Sequence, residues 1–145
     1  MKNKVYIASD HAGYSLKDEI LNSKGDDLVD LGTKNLERVD YTDFALSLVD
    51  NVKKNKNSKG ILICGTGNGM AIMANRHRNI RAGLAFNEEI AKLIRQHNDA
   101  NVLVLPGRFI DIQEALKCVD IFLSTKFEAG RHKKRIDVMD KIGKI

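Results

Sequence analysis

A parallel five-stranded α/β fold is predicted for this 145-residue chain by three observations. Short strand-like runs alternate with helical patterns along the whole length, which implies parallel strands joined by right-handed crossovers. The strand-like runs are continuously apolar rather than alternating, as in Ile61-Leu62-Ile63, and so suit a sheet covered on both faces. Polar and glycine-rich residues collect directly after the first and third runs, where folds of this class bind their ligands.

The elements follow in order. Residues 5–8 read as the first strand. Residues 14–24 read as a helix with Leu16, Ile20 and Leu21 on one face. A second strand over 28–31 is closed by Gly32, and a helix over 42–53 carries Phe44, Ala45, Leu48 and Val49 on one face. The third strand, 61–64, runs into Gly65, Gly67 and Gly69, and a helical pattern opens at Met70 and continues to 75. Residues 82–86 form the fourth strand and 88–97 a helix with Ile90, Ile94 and His97 in register; 102–105 form the fifth strand. Helices over about 112–124 and 128–144 finish the chain. The expected organisation is one domain over 1–145, without repeats or linkers.

Bulk properties narrow the function. The composition, 43% hydrophobic and 30% charged, is that of a globular protein with a real core. No apolar run approaches the roughly 20 residues that span a bilayer. The N-terminus shows no signal-peptide pattern, so no membrane association and a cytoplasmic location are expected. The net charge of +5 raises the possibility of nucleic acid, but acidic residues are interspersed almost everywhere. The one basic cluster is Arg131-His132-Lys133-Lys134-Arg135. With no tryptophan and 6% aromatics there is no stacking platform, so an anionic small molecule is favoured over nucleic acid.

The chemistry concentrates around Cys64. A strand that ends in a glycine loop and turns into a helix points bare N–H groups at one spot, and the helix N-terminus adds partial positive charge there. A cysteine at that spot can have its thiolate favoured, which suits proton transfer or nucleophilic chemistry. Cys118, in a helical apolar pattern, reads as a buried small hydrophobe. The loop lacks the lysine of a Walker phosphate loop. It also has Met70 where a dinucleotide fingerprint needs its third glycine. The histidines, at 11, 77, 97 and 132, contain no His-x-x-x-His pair, so no metal site is expected. His77, between Arg76 and Arg78, reads as part of a surface turn. Asp10-His11 reads as a helix cap with its neighbour, or as contacts to a hydroxyl and a phosphate. Gln96-His97-Asn98 closes a helix with polar groups. Arg131 and Arg135 share a helix face and read equally as a solvated surface or as a phosphate clamp.

With these residues in place the chain resembles the type B ribose-5-phosphate isomerases over nearly its whole length. The marks, in order, are Ser9-Asp-His-Ala-Gly13 with Leu16-Lys17; Asp40-Tyr41; the run from Gly60 to Gly69 with Ala74-Asn75; Ile80-Arg-Ala82; Arg95-Gln-His-Asn98; and Gly130-Arg-His132 with Arg135. The resemblance implies a Rossmann-like three-layer α/β/α fold. It implies interconversion of ribose 5-phosphate and ribulose 5-phosphate in the pentose phosphate pathway, without metal or cofactor. The oligomer it implies is a homodimer or tetramer with shared active sites, the last helix packing at the subunit interface.

Carried over residue by residue, the resemblance makes Cys64 the base that moves a proton between C2 and C1. The N–H groups of Gly65, Gly67, Asn68 and Gly69 would hold the enediolate oxygens. His97 would open the sugar ring, with Thr66 nearby. Asp10 would contact hydroxyls or move the O1/O2 proton, Tyr41 and Asn98 would position the sugar, and His11, Arg108, Arg131 and Arg135 would bind the phosphate. A branch of the family uses a glutamate at the position of Met70 instead; this chain resembles the cysteine branch. It keeps the full residue set, unlike either chain of the related galactose-6-phosphate isomerases. Thr42 stands where the family often has proline, and Ala129 where glycine is usual. A six-carbon phosphate such as allose 6-phosphate is the alternative substrate. A non-catalytic sugar-phosphate or nucleotide-binding module is the alternative of another class.

Overall fold

The computed structural model describes residues 3–142. The strands are β1 (Val5–Ser9), β2 (Val29–Asp30), β3 (Lys59–Cys64), β4 (Ala82–Leu84) and β5 (Val102–Pro106). They form one sheet in the order β2-β1-β3-β5-β4, every pair parallel. The helices are α1 (Tyr14–Lys24), α2 (Tyr41–Lys54), α3 (Asn68–Ala74), α4 (Glu88–Gln96), α5 (Ile112–Ser124) and α6 (Lys133–Ile142).

The pleat explains why the central strands are apolar throughout. Ile61 and Ile63 join Leu103 and Leu105 in a core with Leu16 and Ile20 of α1, Ala91 of α4 and Phe122 of α5. Leu62, Cys64, Val102 and Val104 point the other way, into a second core with Leu48 and Val49 of α2 and Met70 of α3. Successive residues of one strand thus fill two cores. The expected Rossmann-like three-layer architecture is the one observed. Where β1 and β3 lie side by side, their connections leave towards opposite edges of the sheet. That is the switch point at which such folds open a crevice.

Three local expectations are corrected. The fourth strand stops at Leu84 rather than at 86. His77 does not lie on the surface: it is buried, and its Nδ1 lies 3.1 Å from the Met73 carbonyl. A carbonyl at a helix end attracts an imidazole N–H even between two exposed arginines. The last helix begins at Lys133 and not at 128, because Ala129 and Gly130 both have positive φ (59° and 53°) and break the helical path before a short 3-10 turn, Gly130–His132.

That conformation strains an alanine. Ala129→Gly is expected to stabilise the fold by about 1 kcal/mol, the relieved strain exceeding the added chain entropy. Denaturant unfolding checks this, and an unchanged or lower midpoint would count against the strain.

The outer edge of β4 has its own partner. Asn75 accepts the Ala82 N–H at 2.7 Å and donates its amide to the Ala82 carbonyl at 2.8 Å. Among the described residues no helix is long and apolar enough to cross a membrane.

Candidate active site

The crevice is built from the carboxyl ends of β1, β3 and β5. Cys64 is the last residue of β3, opposite Pro106. Asp10 follows β1 level with it, its N–H donating to the Ile63 carbonyl at 3.3 Å. The next two backbone bonds past the β3–β5 ladder are Gly107 N–H to Cys64 O (2.8 Å) and Arg108 N–H to Gly65 O (3.0 Å). They hold the cysteine from the β5 side, as the Asp10 bond holds the preceding residue from β1, and they bring the Arg108 side chain over Gly65: a Cβ built there would stand 3.4 Å from Nη1.

The loop after Cys64 is held open by its glycines and one hydroxyl. Gly67 has φ +81° and caps α3, and any Cβ there would press to 2.4 Å on Leu84. Thr66 Oγ1 accepts the Asn68 N–H at 3.2 Å. Gly69 lies against the Tyr41 ring, which a Cβ would meet at 2.5 Å. Tyr41 at the start of α2 therefore forms one wall.

Asp10 is buried and accepts the Gly13 N–H at 3.0 Å, capping the turn into α1. His11 Nδ1 accepts the Val39 N–H at 3.2 Å. That bond leaves the ring proton on Nε2 and makes the free edge of His11 a donor. Cys118, by contrast, lies far inside α5; burial, then Glu114 and Glu88, push its thiol up to about 12, so it stays protonated and inert.

The remaining predicted residues lie elsewhere in the chain. His97 follows α4, which runs back from the carboxyl end of β4 to the start of β5. The Lys59 amine at the start of β3 is pushed down by burial and by the Arg95 guanidinium, with Asp99 acting the other way. The end of α4 therefore sits beside Lys59, at the opposite end of β3 from Cys64. Five residue steps of strand separate the two ends, about 16 Å.

At that far end His97 stacks on His132, ring centroids 4.6 Å apart and planes 21° from parallel. Glu128 lies beside them, its Oε2 3.8 Å from His132 Nε2. His132 is buried; desolvation, then the neighbouring Arg131 and His97, lower its imidazole below the usual 6.5. Arg131 and Arg135 are exposed around this stack.

Arg81 ties the end of α4 to α6. It donates Nε to the Asn98 and Asp99 carbonyls (both 3.1 Å), Nη2 to Asp99 (3.3 Å) and Nη1 to Asp140 of α6 (2.7 Å). The sequence reading left Arg81, Glu128 and His132 without roles. The available signal was the Glu128-x-x-x-His132 spacing, which a search confined to histidine pairs passes over.

A largely apolar cleft of about 610 Å³ lies beneath α6, lined by residues such as Ile80, Gly83, Ile94 and Met139, and is separate from the Cys64 crevice.

A sequence model of the ribose/galactose isomerase family matches residues 5–139. The chain belongs to that family. Among ribose/galactose isomerases, a probable ribose-5-phosphate isomerase B of Mycoplasma pneumoniae is 45% identical over 140 residues, 94% of this chain and 92% of the relative. The crystal structure of a ribose 5-phosphate isomerase from Thermotoga maritima superposes with a TM-score of 0.92 at 48% identity, covering 98% of this chain and all of that one. That of ribose-5-phosphate isomerase B from Mycoplasma genitalium with bound ribulose-5-phosphate gives a TM-score of 0.91 at 45% identity, covering 97% and 96%.

Proposed function

We propose that the chain is a ribose-5-phosphate isomerase acting through an enediolate. The observation that carries this is a cysteine at the switch point, its backbone held from β5 and followed by a glycine loop that opens α3, in a chain so similar to an isomerase solved with ribulose-5-phosphate. Cys64 takes the proton from C2 of the open-chain sugar and returns it to C1. The N–H groups of Gly65, Gly67 and Gly69 stabilise the oxygen charge between the two steps, a preorganised electrostatic role, while that of Asn68 is held by Thr66 Oγ1. Asp10 contacts the hydroxyls and passes the proton between O2 and O1, and Tyr41 fixes the sugar against Gly69. His11 and Arg108 bind the phosphate, His11 through Nε2–H. The chemistry asks nothing of a cofactor, and the expected place of the enzyme is the cytoplasm.

Ring opening is assigned to His97 with Thr66, sugar positioning to Asn98, and further phosphate binding to Arg131 and Arg135. A sugar phosphate is shorter than the strand that separates His97, Asn98 and the two arginines from Cys64 in one copy. The separation supports a homo-oligomer, a dimer or tetramer, in which one copy supplies Cys64 and another supplies His97, Asn98 and the two arginines. The exposed Val138, Met139 and Ile142 of α6 support an interface at the last helix.

The test is complementation. Cys64→Ala and His97→Asn proteins, each inactive or nearly so on ribose 5-phosphate, are mixed, dissociated and reassembled. A heterodimer has one intact site out of two, so about a quarter of wild-type activity should return for random pairing. No recovery would place both residues in one copy's site and refute the shared arrangement. Wild-type protein that turns over allose 6-phosphate but not ribose 5-phosphate would overturn the substrate.

A further inference from the structure

We propose that His97, Glu128 and His132 form a binding site for a divalent cation of the zinc class, and that filling it switches the isomerase off. The inhibitory half rests on the ring-opening role proposed for His97; the binding half does not.

Two imidazoles and a carboxylate are a zinc-type donor set. One donor atom from each of the three residues lies within 4.8 Å of the others. His132 Nε2 is buried and has no hydrogen-bond partner among the described residues. Its 3.8 Å to Glu128 Oε2 is too long for a hydrogen bond. It is close to the ~3.4 Å that separates two ligands held about 2.1 Å from a tetrahedral ion.

The frame beneath these side chains is fixed. Glu128 N–H donates to the Gln96 carbonyl (3.1 Å), His97 N–H to Leu93 O (2.8 Å) and His132 N–H to Ala129 O (3.0 Å). The three backbones are thereby joined across 35 residues of sequence. Nearly parallel rings cannot both aim a nitrogen at one ion, so one must turn. His97 is the half-buried member of the stack, at a helix end, and has the freedom to do so. That turn removes its imidazole from the sugar. Arg131 and Arg135 oppose a dication, which sets the expected affinity in the micromolar range, suited to a reversible inhibitor rather than a structural ion. Water completes the coordination.

Zinc chloride is titrated by calorimetry into chelator-treated Cys64→Ala protein, the thiol being removed because it would itself bind zinc. One site per chain is expected. Adding Glu128→Gln, an exposed change that leaves the fold intact, or His132→Gln should weaken it at least about tenfold. No binding up to millimolar zinc, or affinity unchanged in both variants, overturns the site. In wild-type protein the same zinc concentrations should suppress turnover of ribose 5-phosphate, EDTA should restore it, and Glu128→Gln should move the inhibition to higher zinc. Full activity at saturating zinc overturns the inhibitory half. Absence of turnover in zinc-free buffer would instead count against the isomerase reading, and the calorimetry decides the site independently.

Discussion

Cys64→Ala is expected to lower kcat on ribose 5-phosphate by about a thousandfold or more, the range lost when a positioned general base is removed. Binding of the sugar phosphate should change little. The base and the phosphate-binding groups are separate side chains, and the Cys64 backbone is held by β5 through bonds that do not involve the sulfur. Alanine leaves that carbonyl and the loop N–H groups where they are. Calorimetry with ribose 5-phosphate and single-turnover kinetics check the two halves. Binding lost together with turnover would mean that the thiol shapes the pocket as well as moving the proton. The other thiol cannot substitute, because Cys118 is buried with its pKa pushed up to about 12.

Asp30→Asn is expected to destabilise the fold by about 2–3 kcal/mol, somewhat less than the loss of a partner from a fully buried ion pair. Lys17 is 1% exposed and donates to Asp30 at 2.7 Å. Without the carboxylate its ammonium is left buried and poorly paired, with the Tyr14 ring centroid 5.5 Å away. The melting temperature should fall by about 8 °C. Lys17→Met in the same background should recover most of the loss, since removing both charges leaves none stranded. Failure of that rescue would assign the effect to the loop instead.

The same pair sets a pH dependence. Burial alone would raise the Asp30 carboxyl, but hydrogen bonds from Lys17, Lys34 and the Gly32 N–H outweigh it and hold the group below its usual 3.8. A carboxylate with a depressed pKa contributes stability above its unfolded value and loses it as pH falls through the folded one. Wild type should therefore lose this contribution below about pH 4, where Asp30→Asn should show a flatter acid profile. Activity should suffer too. Asp30 accepts the Gly32 N–H, and Gly32 O accepts the Ser9 N–H at the end of β1, next to Asp10 and His11.

Much of this was legible in the residues themselves. The limits of α1 and α5 match because each begins and ends at a clear change in the apolar period, helped at α5 by Asp111, whose carboxylate accepts the Glu114 N–H. The loop after Cys64 was legible because only glycine tolerates the φ of Gly67. The start of α6 was not, because an alanine carries no sign that its backbone will turn left-handed. His77 was misread because its neighbours are charged, while its own ring finds two carbonyls at the end of α3. The residues named for the site form one list in the sequence, and their division between the two ends of the sheet was not legible there. One-dimensional order says nothing about which end of a sheet a helix terminus reaches. That required the path of α4, back to the start of β5.

Asn75 has a consequence for assembly and solubility. An outermost strand normally offers a row of free donors and acceptors to any extended segment that drifts past. Here one amide side chain already occupies both groups of Ala82, and β4 is only three residues long; β2, at the other margin, has two. A foreign strand would find few rungs at either side. Growth of this sheet by addition of another chain is thus disfavoured at both margins.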